Sequence, residues 1–145
     1  MPETISIRPA TIEDLEPVLG LMIAQNMADY DSPMISRVRL RQIWESPKFN
    51  LVSDTWLVST HDGRVIAYAD VQRESDTQIH TSVFVAADQS GKGIERRLLQ
   101  LVEARVATGP VDEVVVSTRI SDRNAAGISL LEQAGYSLDL SFLVM

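Results

Sequence analysis

The sequence contains no cysteine, so it offers neither a disulfide framework nor thiol chemistry. It is also short of positive charge, with 13 lysines and arginines against 20 aspartates and glutamates and a net charge of −7. An acidic surface repels phosphate backbones, which argues against a nucleic-acid partner. The start, MPETISIRPA, lacks a basic segment followed by an apolar one, and no apolar run approaches the roughly 18 residues of a membrane helix. We therefore expect a cytoplasmic protein with neither a nucleic-acid nor a membrane partner.

The length and composition of the chain favour a single folded domain, which we expect to span residues 1–145. A chain of this length buries roughly 70% of the surface that its unfolded form exposes, which is enough for a hydrophobic core. Hydrophobic residues make up 45% of the sequence, so disorder is disfavoured. The histidines and carboxylates do not show the spacing of a metal site, so we expect no metal.

Hydrophobic periodicity predicts alternating strands and helices along the chain. The strand ISIRPA is followed by a helix that begins at Thr11 and Asp14, which stand at the spacing of a capping box. A second helix is predicted from about Ser36 to Trp44. Residues 56–86 alternate with period two around the turns HDGR and ESDT, which indicates three antiparallel strands. The predicted order is β-α-α-β-β-β-α-β-α-β, an α+β fold with a mixed, mostly antiparallel sheet flanked by helices.

The stretch SGKGIERRLL places two glycines directly before a predicted helix. The first N–H groups of a helix lack internal partners, so a strand, a glycine turn and a helix N-terminus together form an anion site. Gly91 and Gly93 let a phosphate approach the backbone, and Lys92 and Arg96 add positive charge. Gly93 follows Lys92 where a Walker loop needs Ser or Thr, and Arg96 replaces the third glycine of the dinucleotide fingerprint. An ordinary glycine-containing turn is the alternative.

Several segments resemble, in order and spacing, the GNAT superfamily of acetyl-CoA-dependent N-acyltransferases. SGKGIERRLL is similar to the family's Q/R-x-x-G-x-G/A loop, whose amides hold the cofactor pyrophosphate. NAAGISLLEQAGY is similar to the family ending N-x-x-A-x-x-x-Y-x-x-x-G-F, and IRPATIEDLEPV and WLVSTHDGRVIAYA resemble further family segments. KFNLVSDTWLVSTHDGRVIAYADV also resembles the N-terminal half of proteins with two GNAT domains in tandem. The resemblance covers nearly the whole chain.

The resemblance implies acetyl-CoA as the cosubstrate and an amine of a small molecule or a protein as the acyl acceptor. A second copy of the chain, forming a homodimer, is a further candidate partner. Backbone amides near Val83 and Val85 would position the pantetheine arm, and Asn124 matches the family's cofactor-contacting asparagine, although such a residue can also cap a helix. The implied pyrophosphate contacts are Ser90, Gly91, Lys92, Gly93, Ile94, Glu95 and Arg96.

His80 is the candidate general base. It is the only titratable side chain between Ile79 and Val85, and a histidine can accept a proton near neutral pH. A solvent-facing strand histidine is the alternative interpretation. Asp70 and Glu74 on the neighbouring strand are weaker candidates.

Three residues depart from the family pattern. Ser90 stands at the usual Gln or Arg position, Glu95 at the final Gly/Ala position, and Leu131 where the family has the tyrosine that reprotonates the cofactor thiolate. Leucine cannot donate a proton, so another group does so, the thiolate leaves unaided, or the domain does not catalyse. Two hypotheses follow: an N-acetyltransferase, or a catalytically degenerate domain that binds CoA or acts as a regulatory module.

Overall fold

The computed structural model describes residues 5–33, 35–75, 77–89, 91–108, 115–118 and 125–136, and its strands form one sheet in chain order. The strands are β1 (Ile5–Arg8), β2 (Thr55–Thr60), β3 (Val65–Arg73), β4 (Gln78–Val85) and β5 (Val115–Thr118). The helices are α1 (Leu15–Tyr30), α2 (Arg37–Glu45), α3 (Leu51–Asp54), α4 (Ile94–Val106) and α5 (Ala125–Gln133). Strands β1 to β4 are antiparallel neighbours and β5 lies parallel to β4, which confirms the predicted α+β class.

The short helix α3 was not predicted from the sequence. It spans only four residues, Leu51–Asp54, which is too short to show a helical period. Its local signal is Asn50, whose side-chain oxygen accepts the N–H of Val52 at 2.9 Å. The predicted terminal strand, YSLDLSFLVM, begins at Tyr136, and the rest of it, residues 137–145, lies outside the described residues.

The sheet carries helices on both of its faces. On one face Leu57 and Tyr68 pack in a core shared with α1 and α2. On the other face Val58 and Ala69 pack in a second core shared with α4. The two faces alternate along each strand, as the pleat requires, so the side chains of Tyr68 and Asp70 lie on the same side of β3.

The entry into α1 follows the predicted capping pattern. The Asp14 carboxylate accepts the backbone N–H of Thr11 at 2.8 Å and both terminal nitrogens of Arg8, at 2.8 and 3.0 Å. The Arg8 guanidinium is the largest cause that holds the pKa of Asp14 below its ordinary value. Asp14 therefore ties β1 to the start of α1.

Replacing Asp14 with asparagine is expected to lower the free energy of unfolding by about 1.5 kcal/mol at pH 7, because charge-assisted hydrogen bonds are lost. Because the folded-state pKa of Asp14 is depressed, its contribution is present above the unfolded value of about 4 and is lost as pH falls through the lower folded value. Urea denaturation from pH 7 to pH 2 measures this difference.

The control is Glu16→Gln, which breaks the exposed ion pair between Glu16 and Arg37. Exposed pairs contribute little, so this variant should unfold at nearly the same urea concentration as wild type. A difference between wild type and Asp14→Asn that stays constant down to pH 2 would contradict the assignment.

Candidate active site

Strand β4 is longer than its parallel partner, β5. The two strands pair only from Gln78 opposite Val115 to Thr81 opposite Thr118, whereas β4 continues to Val85. Among the described residues, the last part of β4 therefore has no β5 neighbour. Within the described ranges, the edge of β4 that faces away from β3 therefore has no strand beside it from Ser82 to Val85, and this stretch is here called the open edge.

The hydrogen-bond register determines which amides reach this open edge. Ala86 donates its N–H to Ile66, and Glu74 donates to Gln78, so the residues of β4 that bond to β3 are those with even numbers. The N–H groups of Val83 and Val85 consequently point away from β3. These two amides are the ones that the family resemblance implies as contacts of a pantetheine arm.

Gln25 of α1 occupies part of this edge. Its side-chain oxygen accepts the N–H of Val85 at 3.2 Å. A ligand that takes the Val85 amide must therefore displace Gln25, whereas Val83 faces the two adjoining cavities. The role of Gln25 was missed from the sequence, where the local signal is a polar pair, Gln25 and Asn26, inside the otherwise apolar stretch of residues 17–28.

Two cavities meet at the open edge of β4. The first, here called the loop cavity, has a volume of about 680 Å³ and is lined by residues that include Leu21, Gln25, Val83, Val85, Gly91, Gly93, Glu95, Arg96, Ser129 and Gln133. The second, here called the sheet cavity, has a volume of about 450 Å³ and is lined by residues that include Gln25, Asp29, Tyr30, Arg39, Asp70, Gln72, His80, Ser82, Val83, Glu95 and Leu131. Both cavities are lined by Gln25, Asp29, Val83, Glu95, Gly127 and Leu130.

The glycine loop presents bare backbone to the loop cavity. Gly91 and Gly93 have φ angles of 82° and 91°, in the left-handed region that favours glycine, and Gly93 is the N-cap of α4. The first helical hydrogen bond runs from the Arg97 N–H to the Gly93 carbonyl at 3.1 Å. Ile94 is buried in the core against the sheet, so only its N–H is available to a ligand.

The carboxylate of Glu95 folds back onto this loop. Its Oε1 atom accepts the N–H of Gly91 at 3.3 Å, and the residue lines both cavities. The carboxylate is thus bonded to one of the backbone N–H groups that the family resemblance implies as phosphate contacts. The direction of this side chain could not be predicted from the residue type, because an outward-facing first-turn acid would fit the helix dipole equally well.

The basic residues of the loop differ in their surroundings. Arg96 lines the loop cavity and donates from Nη2 to the side-chain oxygen of Gln133 in α5 at 3.2 Å. Lys92 is exposed to solvent. Ser90 and Asn124, the two other predicted contacts, lie outside the described residues.

The sheet cavity is walled by a polar face of β3 and β4. Asp70 lies opposite Ser82, and Gln72 lies opposite His80, with all four side chains on the face that packs against α1 and α2. Leu131 of α5 lies on the same cavity, where the family tyrosine was expected. The structure therefore brings His80, Asp70 and Leu131 to the same cavity.

Asp70 is held at the end of a buried hydrogen-bond chain. Trp44 donates its indole N–H to the Tyr68 oxygen at 3.0 Å, and the Tyr68 hydroxyl donates to Asp70 Oδ2 at 2.8 Å. Only 1% of Asp70 is exposed, and burial raises its pKa to about 6. Burial also raises the pKa of Tyr68 well above its ordinary value, so this hydroxyl remains a donor at neutral pH.

Neither a membrane helix nor a metal cluster is found within the described ranges. No helix there is long and apolar enough to span a bilayer. The same residues contain no group of three or more histidines and carboxylates arranged to hold a metal ion.

No protein-family model and no curated protein sequence matches the chain. Solved structures match it closely in shape. A GCN5-related N-acetyltransferase from Sphaerobacter thermophilus aligns with a TM-score of 0.78 and 27% identity, over 94% of this chain and 44% of that one. The chain therefore spans less than half of that protein's length.

Two further structures match over most of both chains. The aminoglycoside N-acetyltransferase AAC(6′)-Iy in complex with CoA aligns with a TM-score of 0.68 and 14% identity, over 100% of this chain and 95% of that one. The ribosomal-protein-S18-alanine N-acetyltransferase from Escherichia coli has a TM-score of 0.68 and 19% identity, over 91% and 77% of the two chains. At these identities the likeness shows the fold alone.

The sheet with its open β4 edge and the glycine loop before α4 define a domain of the GNAT fold, as the solved structures confirm. The chain thus has the fold of the GCN5-related N-acetyltransferases, the superfamily that the sequence resemblance had implied.

Proposed function

We propose that this domain transfers an acetyl group from acetyl-CoA to an amine of a small molecule or a protein. The observation that carries the proposal is the meeting of two cavities at Val83 and Gln25. One cavity is walled by the glycine loop and the other by a polar face of the sheet. A donor in the first and an acceptor in the second would meet beside Val83, and holding two reactants together can supply much of a rate acceleration.

The backbone of the glycine loop leaves room for a pyrophosphate group. A Cβ atom at Gly91 or Gly93 would meet no other atom within 4 Å, so the bare backbone faces open space that a phosphate can enter. The N-terminus of the 13-residue helix α4 adds its unpaired N–H groups and partial positive charge. Bound acetyl-CoA would supply an activated acetyl group as a thioester.

The residues that would hold the cosubstrate extend along the loop cavity. The Val83 N–H is oriented to position the pantetheine arm or polarise the thioester carbonyl. Arg96 and Lys92 add positive charge near the phosphates, while Glu95 must release the Gly91 amide. Ser90 and Asn124 remain predicted contacts.

The sheet cavity is proposed to receive the acceptor. An amine is a cation at neutral pH, and the cavity wall carries the carboxyl groups of Asp29, Asp70 and Glu74 together with the guanidinium of Arg39. We further propose that residues 1–145 form one domain that acts in the cytoplasm, as a monomer or as a homodimer.

A second function is favoured by two observations. Glu95 occupies a loop amide, and Leu131 removes the family's proton donor from the sheet cavity. A domain that binds CoA without turning it over would have both features. Binding and turnover must therefore be measured separately.

Isothermal titration with acetyl-CoA tests binding, and release of free CoA over a panel of amines tests turnover. The panel contains an aminoglycoside, a peptide with N-terminal alanine, a peptide with an internal lysine, and spermidine. We expect both binding and turnover with at least one amine. Binding without turnover would favour the second function, and the absence of binding would contradict both.

The neighbours Arg96 and Arg97 provide a matched pair for the same titration. Arg96→Gln should weaken acetyl-CoA binding about threefold to tenfold, with less effect at high salt, because a charge on the loop cavity is lost. Arg97 is exposed and lies on neither cavity, so Arg97→Gln should leave the Kd within about twofold. Equal effects of the two variants would place the phosphates elsewhere.

A further inference from the structure

We infer that Asp70 is the group that takes the proton from the acceptor amine, with Tyr68 and Trp44 as the residues that position it. This inference rests on the proposed function. It assigns the catalytic base to a buried carboxylate of β3 in place of His80.

The register of the sheet puts Asp70 beside the meeting point of the two cavities. Asp70 lies directly opposite Ser82, the residue next to Val83. His80 is three residues before Val83 on β4 and lies opposite Gln72, which places it about 7 Å further along the strand than Ser82. A proton acceptor has to lie near the reacting nitrogen, and Asp70 satisfies this condition better.

The hydrogen-bond chain has only one direction. An indole N–H can only donate, so the Tyr68 oxygen accepts from Trp44 and its single proton goes to Oδ2 of Asp70. Because Oδ2 already accepts the Tyr68 proton, we assign the transferred proton to Oδ1. Oδ1 lies 3.5 Å from the Gln72 amide nitrogen, and Ser82 donates a further hydrogen bond to the carboxylate. Tyr68 thus fixes the carboxylate and leaves one oxygen ready to accept.

Burial brings the pKa of the Asp70 carboxyl closer to neutral pH. Removal from water raises the pKa of Asp70 to about 6, against the opposing hydrogen bonds from Tyr68, Gln72 and Ser82, and the charge of Asp54 raises it further. The carboxylate is thus ionised at pH 7 and binds a proton more readily than an ordinary aspartate. The other charged or titratable groups that line the cavity are Asp29 and Tyr30 of α1, Arg39 of α2, Glu74 directly after β3, His80 of β4 and Glu95 of α4.

The reaction balances without a further reagent. The ammonium form of the acceptor gives one proton to Asp70 Oδ1, directly or through one water, and its nitrogen forms a C–N bond with the acetyl carbon as the C–S bond breaks. The sulfur leaves with the bonding electron pair. The second amine proton passes through water to the thiolate, which leaves an amide and free CoA. Asp70 then returns its proton to solvent.

The first experiment measures the pH dependence of kcat/KM for wild type, Asp70→Asn and His80→Gln, with the best amine of the panel. Wild type should lose activity as pH falls through about 6, because protonated Asp70 cannot accept a proton. Asp70→Asn should reduce kcat/KM by about 100-fold or more and remove this acid limb. His80→Gln should keep the acid limb at the same pH, because the proton still passes to Asp70, whatever this change at the acceptor cavity does to the rate.

The second variant, Tyr68→Phe, tests the positioning role. It removes a hydrogen bond that favours the ionised carboxylate, so the pKa of Asp70 should rise and the acid limb should move to higher pH. A residue that served packing alone would not move this limb. Urea denaturation and the Kd for acetyl-CoA identify folded variants with an intact loop cavity, and both should stay near the wild-type values in Asp70→Asn.

The outcomes distinguish a failure of the proposed acetyl transfer from a failure of the role assigned to Asp70. Wild type that is inactive with every amine would overturn the proposed function and the role of Asp70 with it. Active wild type with a folded Asp70→Asn variant that keeps its rate and acid limb would overturn only the assignment of Asp70. Loss of the limb in His80→Gln alone would assign the base to His80. An unmoved limb in folded Tyr68→Phe would overturn the positioning role.

Discussion

Replacing Glu95 with glutamine is expected to tighten acetyl-CoA binding by about tenfold at low salt. The carboxylate accepts the Gly91 N–H and so stands where the loop would receive a phosphate. Two unit charges about 4 Å apart repel by roughly 4 kcal/mol at an effective dielectric constant of about 20. Exposure to solvent reduces this, and a remaining repulsion of about 1.4 kcal/mol corresponds to a tenfold change in Kd.

The salt dependence of the Kd and a second substitution test whether charge repulsion by Glu95 is what weakens acetyl-CoA binding. The gain should fade as salt is added, because screening weakens repulsion between partly exposed charges. Glu95→Gly, which installs the family residue, should also tighten binding. It should in addition lower the free energy of unfolding by about 1 kcal/mol, because it adds a flexible residue and removes a first-turn acid. Affinity and stability should thus move in opposite directions in the glycine variant.

The control for both variants is Glu103→Gln. Glu103 is an exposed acid on the same helix and does not line either cavity. It should leave the Kd within about twofold, since Glu103 lies about 12 Å further along the helix than Glu95 and repulsion between exposed charges weakens with distance. If Glu95→Gln also leaves the Kd within about twofold at low salt, the prediction is wrong. The Glu95 carboxylate then moves aside without cost when acetyl-CoA binds.

Elements with a strong local pattern could be predicted from the sequence. The glycine loop was recognisable because Gly91 and Gly93 precede an amphipathic helix, and both residues adopt the positive φ angles that the pattern suggests. The three middle strands were recognisable from their period of two and their Asp-Gly turn. The capping role of Asp14 followed from its spacing to Thr11.

Features that depend on register and on distant contacts could not be predicted. Gln25 meets Val85 across 60 residues of sequence, and no local pattern reports such a contact. Asp70 was ranked below His80, although an acid that alternates with the apolar residues of a central strand is itself a signal. Its importance becomes visible only when the register places it opposite Ser82 and at the end of the Trp44 chain.

Removing the arginine of the ion pair between Asp54 and Arg105 is expected to have the largest effect on stability. Arg105 Nε lies 3.0 Å from Asp54 Oδ1, and the two side chains are 33% and 4% exposed. The pair joins α3 to the last turn of α4, and Asp54 also accepts the N–H of Asn50 at 3.0 Å. Arg105→Met should lower the free energy of unfolding by about 3 kcal/mol, because it leaves a buried carboxylate without its cation.

The opposite substitution should cost much less, and this asymmetry tests the explanation. In Asp54→Asn the amide oxygen can still accept the Asn50 N–H, and the partly exposed Arg105 can turn toward water, so the loss should be about 1 kcal/mol. The double variant should be about as stable as Asp54→Asn alone, since the buried charge that makes Arg105→Met costly is then absent. Urea denaturation of all four proteins measures the cycle. Additive losses in the double variant would show that Arg105 stabilises the fold through its packing and not through the charge of Asp54.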